Sequence, residues 1–147
     1  HNETSKTGNA SEIATFDTNL KLQNVKQVAG TNGHNILTTP QGQLYCDSLG
    51  RNSLNLNDEI LLRLDGYLTR GLAANAHNIL LGTSLITSRD NRDKGHCSVH
   101  VLDYQLQSLG NITIPGTGNI HEIRFMEGDA GLSRNAKLTS KINFEPE

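Results

Sequence analysis

Two stretches of this chain share one pattern at a long interval, and this repeat constrains the fold more than any other feature. Alternating apolar and polar residues run into an Asp-x-x-Leu turn at Asp17 and again at Asp103. These aspartates lie 86 residues apart, and His34 and His121, which follow them, lie 87 residues apart. Half of this interval, roughly 43 residues, is the length of a four-stranded β-propeller blade. The repeat therefore predicts hairpins, each followed by a strand that begins the next unit.

A middle copy of the unit must lie between these two, and two registers are available for it. The first places His77 on His34. The second places Arg70 on His34, and it also places the strand that ends at Ser84 on the strand that ends at Ser48. Its uneven spacing is absorbed by a polar loop, which costs little, whereas a register slip would turn every side chain to the other face. We therefore prefer the second register.

The rest of the chain reads as short strands. Gly, Asn, Asp and Pro residues separate alternating segments, and no window of eleven or more residues has helical periodicity. We predict an all-β chain of β-propeller blades over residues 12–134, about three four-stranded antiparallel sheets in all. A flexible segment, 1–11, precedes the blades, and a tail, 135–147, follows them. With the strands of a blade labelled a to d, the predicted units are strands c–d at 12–28, a blade at 33–68, a blade at 69–116, and strands a–b at 119–133.

Three blades do not close a ring, because propellers contain roughly four to eight of them. We therefore expect the chain to be part of a larger propeller or to complete one with a second copy of itself. The terminal strand pairs would otherwise leave open sheet edges, which proteins normally cover. A symmetric dimer of such chains would contain about six blades.

One part of the chain resembles a known group of proteins. The run GYLTRGLA at residues 66–73, followed by ILLGTS at residues 79–84, is similar to a blade signature, Tyr-x-x-Arg-Gly-Leu-Ala, of bacterial predicted β-propeller proteins of unknown function. The stretch from 34 to 48 resembles the blade that precedes this signature, so that the similarity covers roughly residues 33–125. The resemblance implies a propeller fold and a longer chain, and it implies no activity.

The candidate site lies at the start of strand a, the innermost strand of a blade. His34, Arg70 and His121 occupy this position in three successive units, with Glu122 and Arg124 close by. Because inner strands converge on the propeller axis, these side chains are predicted to line one channel. A guanidinium suits a carboxylate or phosphate, so a small anionic ligand is the expected partner. The structural alternative is that the same side chains cap strands and hydrogen-bond the neighbouring blade.

A metal is the other candidate ligand of this site. His34 and His121 would supply neutral imidazole nitrogens, which bind divalent metals well. The fixed positive charge of Arg70 argues against a symmetric metal cage, because it would repel the ion. A divalent metal therefore stays an alternative to the anion.

The composition argues against several classes of binding partner. The net charge is −2 and the basic residues are scattered, so no basic stripe indicates nucleic acid. No apolar run approaches the ~20 residues of a membrane helix. Two isolated cysteines fit a cytoplasmic location slightly better than a secreted one, but they leave the compartment open.

The sequence thus favours a binding or scaffold module, with a small-ligand or partner site at the central channel of a propeller. A metal-assisted channel enzyme that uses His34 and His121 is the alternative. A lectin-like β domain is a weaker alternative, which the repeat disfavours.

Overall fold

The computed structural model describes residues 8–116, 118–125 and 142–143, and within them the chain is all-β, as predicted. The one helical element of these ranges is a single 3₁₀ turn at Arg89–Asn91. No helix in the described part is long and apolar enough to cross a membrane. The described strands are β1 (Ser11–Phe16), β2 (Leu22–Val28), β3 (Gly33–Thr39), β4 (Gly42–Asp47), β5 (Ser53–Leu56), β6 (Glu59–Arg63), β7 (Tyr67–Ala74), β8 (Ile79–Leu85), β9 (Cys97–Leu102), β10 (Ser108–Ile114) and β11 (Ile142–Asn143).

The strands form three sheets in which sequential strands pair in antiparallel fashion. Strands β1 and β2 form the first sheet, β3 to β6 the middle sheet and β7 to β10 the last sheet. Strand β11 pairs in parallel with β6 at the edge of the middle sheet. Because each antiparallel pair needs only a short connection, the Gly, Asn and Asp turns of the sequence suffice to join the strands.

The ends of the predicted units differ in part from the observed strands. Strand β1 begins at Ser11, inside the segment that we expected to be flexible, and residues 1–7 lie outside the described ranges. Residues 119–125 have no assigned strand, and the remainder of the predicted a–b pair, 126–133, lies outside the description. Of the predicted tail, only 142–143 are described.

The core lies between the middle and last sheets. Successive residues of a strand point to opposite faces. Leu44 and Cys46 of β4 therefore face the last sheet, whereas Tyr45 faces the first sheet and donates a hydrogen bond to the Ala29 carbonyl at 2.8 Å. The buried side chains that meet between the middle and last sheets include Leu44, Cys46, Leu54, Leu62, Leu72, Ile79, Leu81 and Leu102. Burial of this apolar area, at roughly 25 cal/mol per Å², stabilises the stack.

The two Asp-x-x-Leu turns have the same geometry. Asp17 and Asp103 each use Oδ1 to accept hydrogen bonds from the backbone N–H groups two and four residues further on, at 2.8–2.9 Å. Leu20 and Leu106 both have a φ of 62°. Aspartate satisfies backbone donors in this way in tight turns. The turn at the end of β1 is thus built like the turn at the end of β9.

Two β-bulges have matching positions in β3 and β7. The pairing register shifts between His34 and Ile36, and again between Thr69 and Leu72. The residue after His34 is Asn35, with a φ of 47°, and the residue after Arg70 is Gly71, with a φ of 78°. Glycine and asparagine are the residues that adopt this left-handed conformation most readily. His34 and Arg70 therefore occupy the same place relative to a bulge, which is the register that we preferred.

Candidate functional site

His34, Arg70 and His121 come together in the structure, although they lie far apart in the sequence. Arg70 Nη2 lies 2.9 Å from His34 Nε2, and Arg70 Nη1 lies 3.2 Å from His121 Nδ1. A guanidinium only donates hydrogen bonds, so both ring nitrogens accept them. We call these three residues the Arg70 cluster.

Asn35 holds the cluster together, and sequence reasoning did not assign it a role. Its Oδ1 accepts a hydrogen bond from the Gly71 backbone N–H at 2.9 Å. Its Nδ2 donates to the His121 carbonyl at 3.1 Å. One side chain thus joins the bulge of β3, the bulge of β7 and the segment that carries His121. A signal was present in the sequence, because the preferred register aligns Asn35 with Gly71, and asparagine and glycine are the residues that most readily adopt a positive φ.

The electrostatic environment keeps His34 neutral. Burial, followed by the charges of Arg70 and His121, lowers the pKa of His34 to about 4. Protonation of this ring would place a second cation against the guanidinium and would break the hydrogen bond that its Nε2 accepts.

Arg70 is half-buried and has no carboxylate beside it among the described residues. Among the described residues, ion pairs join Lys26 to Asp58, Arg63 to Asp65, and Arg124 to Glu122, and none of these includes Arg70. The buried Nε of Arg70 has no hydrogen-bond partner among the described residues. Burial, and then the nearby charge of Arg92, lower the pKa of Arg70. The cluster therefore carries a positive charge that no described acidic side chain neutralises.

Glu122 and Arg124, the other two predicted site residues, pair with each other. They form an ion pair at 2.7 Å, and both are exposed. With Asn35 and Ile123 they line a cavity of about 550 Å³. A second cavity, of about 240 Å³, lies between the first and middle sheets and includes His34 in its lining. The five predicted site residues thus divide into a cluster of three and a separate surface pair.

The cluster fits a metal ion less well than an anion. In the described ranges no group of three or more His, Cys, Asp and Glu side chains lies close enough to hold a metal. His34 and His121 direct the nitrogens described above at Arg70, whose permanent charge would repel a cation.

No protein-family model, curated protein or solved structure matches the chain. The chemistry of the Arg70 cluster must therefore follow from its own contacts and charges.

We expect the stability of the protein to fall between pH 7 and pH 5, in part because of His34. The pKa of His34 is about 4 in the folded chain, whereas an unperturbed histidine titrates near ~6.5. The unfolded chain therefore binds the extra proton over this window, and the free energy of unfolding decreases as the pH falls. Because His34 is partly exposed, solvent screening limits its share to about 1 kcal/mol.

Urea unfolding at pH 7 and pH 5 measures this share. His34→Gln should show a smaller loss between the two pH values than the wild type, and the exposed His77→Gln serves as the control. His100, whose pKa burial also lowers, is present in all three proteins and cancels. An equal loss of stability in His34→Gln and in the wild type would show that the surroundings of His34 do not lower its pKa.

Proposed function

We propose that this chain is a binding module of the β-propeller type whose Arg70 cluster binds a small anion. The observation that carries the proposal is the half-buried guanidinium of Arg70, which two imidazoles hold and no described carboxylate neutralises. A partly buried charge without a counter-charge is costly. A carboxylate or phosphate at this point therefore lowers the free energy of the folded protein.

The arrangement of the sheets supports the propeller part of the proposal. The sheets stack in chain order, and the middle and last each contain four sequential antiparallel strands, as propeller blades do, with β11 added in parallel at the edge of the middle sheet. The matching turns at Asp17 and Asp103, and the matching bulges beside His34 and Arg70, are typical of a repeated unit. In such a ring the starts of β3 and β7 line the central channel, and the ligand meets residues of several units at once.

The chemistry of the cluster indicates a carboxylate or a phosphate. The planar fork of Arg70 matches the two oxygens of such groups, and its hydrogen bonds to the imidazoles fix the orientation of the fork. Arg92 is close enough for its charge to act on Arg70, and it adds attraction for an anion.

Titration with two probe anions, inorganic phosphate and oxalate, tests this function. Chemical shifts and isothermal calorimetry on the wild type and Arg70→Gln measure the affinity of each. We expect Arg70→Gln to bind the preferred anion at least about tenfold more weakly, because hydrogen bonds to charged groups contribute about 1.5–3 kcal/mol. The preferred probe separates a carboxylate ligand from a phosphate ligand.

Arg63→Gln is the matched control for this experiment. Arg63 is exposed and pairs with Asp65 at 2.9 Å, away from the cluster. Its substitution should leave the affinity for both anions unchanged. Equal affinity in the wild type and Arg70→Gln, or an equal loss in Arg63→Gln, would contradict the proposed site.

A metal-assisted enzyme that uses His34 and His121 is the weaker alternative. It requires Arg70 to leave its hydrogen bonds with both rings, so that their nitrogens can bind a divalent metal. Metal analysis of the purified protein distinguishes the two functions. A near-stoichiometric ion that is lost in His34→Ala would favour the enzyme over the anion-binding module.

A further inference from the structure

Each end of the stack of sheets carries an apolar face. On the first sheet, alternate residues of β1 and β2 point away from the middle sheet, and Phe16, Leu22 and Val25 are 54%, 51% and 47% exposed. With Ala14, these residues form what we call the first-sheet face. Their strand neighbours Ser11 and Val28 are buried on the opposite side. Within the described part of the chain, the apolar side chains of the first-sheet face are therefore exposed, and Glu12 and Gln27 lie on the same side of the sheet.

The last sheet has a similar face on its side away from the core. Ile79, Leu81 and Leu102 point to the middle sheet, so that the residues between them point outwards. We call the outward side of this sheet the last-sheet face, and its members are Leu80, Val99, Val101, Ile112 and Ile114. Ile112 and Ile114 are 63% and 37% exposed. Ile120 and Ile123 lie over this sheet at Gly82, near the cluster. Leu80, Val99 and Val101 of the last-sheet face are half-buried.

The first-sheet face and the last-sheet face correspond to the two sheet sides that already pack together where the last sheet contacts the middle sheet. In the middle sheet, Tyr45 pairs with Ile36, the first residue of β3 after its bulge. In the last sheet, Leu81 pairs with Leu72, the first residue of β7 after its bulge. Tyr45 and Leu81 both point to the preceding sheet. Leu80 of the last-sheet face is therefore the counterpart of Leu44, which the next sheet covers. The first-sheet face corresponds to the side of the middle and last sheets that contacts the sheet before it in the chain.

From this correspondence we infer that the first-sheet face of one copy of this chain packs against the last-sheet face of a second copy. The contact repeats the packing of the last sheet on the middle sheet. Two copies, with three sheets each, form two such contacts and close a ring of about six sheets, within the roughly four to eight that propellers contain. The inference does not depend on whether the Arg70 cluster binds an anion.

Exposed apolar side chains of this extent are unusual on a chain that stays alone. A large contiguous apolar patch on a protein surface commonly marks an interaction site. Here apolar side chains lie together on the outward side of each end sheet. A partner that offers both complementary faces at once is a second copy of the same chain.

Sedimentation and light scattering on single and mixed variants test the contact. The wild type is expected to have twice the mass of one chain. Val25→Glu on the first-sheet face and Ile112→Lys on the last-sheet face should each give a monomer, because a charge would be buried in an apolar contact. An equimolar mixture of the two variants should recover the dimer, since one of its contacts is unaltered and the other pairs Glu with Lys.

The recovery in the mixture distinguishes this contact from one between identical faces, which the mixture would not restore. Leu20→Glu is the control, because Leu20 is 82% exposed and lies in the turn beyond the first-sheet face. It should leave the dimer intact, and far-UV circular dichroism should show β-structure in every variant. A wild-type monomer at all concentrations, as expected if further sheets of a longer chain occupy both faces, would overturn the inference. A dimer that survives both substitutions would overturn it as well.

Discussion

Gly82→Ala is expected to lower the free energy of unfolding by about 3 kcal/mol or more, because the added methyl group has no space. A Cβ at position 82 would overlap with the Arg70 carbonyl oxygen and would lie 2.7 Å from Ile120 Cγ2. The first of these atoms belongs to the backbone of the neighbouring strand, which cannot rotate away as a side chain does. The substitution must therefore push β7 and β8 apart beside the Arg70 cluster.

Urea unfolding of Gly82→Ala against Gly95→Ala measures this effect. A Cβ at Gly95 would meet its nearest neighbour, Thr87 Cγ2, at 3.7 Å, which is an ordinary contact. Gly95→Ala is therefore expected to change stability by less than about 0.5 kcal/mol. If Gly82→Ala were as stable as Gly95→Ala, the close packing of Ile120 on the last sheet would be wrong.

The sequence predicted the features of this fold that depend on local patterns. Alternation of apolar residues indicated the strands, and Asp17 and Asp103 indicated turns that prove to be built alike. The register that places Arg70 on His34 depended on a preference for changes in loop length over changes in strand pairing. A bulge lies beside each of these two residues in the structure.

The finer contacts of the site were beyond the sequence, because they depend on side-chain direction and on distant neighbours. The repeat predicted that Arg70 would lie near both histidines, but nothing in the pattern indicated that Glu122 and Arg124 would form an ion pair with each other. Arg92 lies in the loop that sequence reasoning used only to absorb a difference in length. Its influence on Arg70 becomes visible only once the loop has a position in space.

Asn35 combines a local signal with contacts that the sequence does not show. Its positive φ is a backbone requirement that Asn or Gly meets easily. Its hydrogen bonds cross 36 residues to Gly71 and 86 residues to His121. Both bonds join segments that are distant in the sequence, so the pattern of any single strand does not predict them.

We expect Asn35→Ala to destabilise the protein by about 3–4 kcal/mol and Asn35→Gly by about 2 kcal/mol. Each variant loses two hydrogen bonds, which contribute about 1 kcal/mol each. Alanine pays a further penalty of about 1–2 kcal/mol for the left-handed conformation, whereas glycine does not. The difference between the two variants therefore measures the backbone requirement, and the loss that they share measures the bridge between the units.

The same variants connect the fold to the proposed site. Without the Asn35 bridge, the Gly71 N–H and the His121 carbonyl lose the side chain that aligns them. Arg70 then lacks a fixed orientation between its two imidazoles, so the affinity for the preferred probe anion should fall even though every cluster residue is intact. Urea unfolding and anion titration of both variants are compared with the exposed Asn24→Ala on β2. If Asn35→Gly kept the stability and the anion affinity of Asn24→Ala, the bridge would not hold the cluster, and the alignment of Arg70 would have to come from the strands alone.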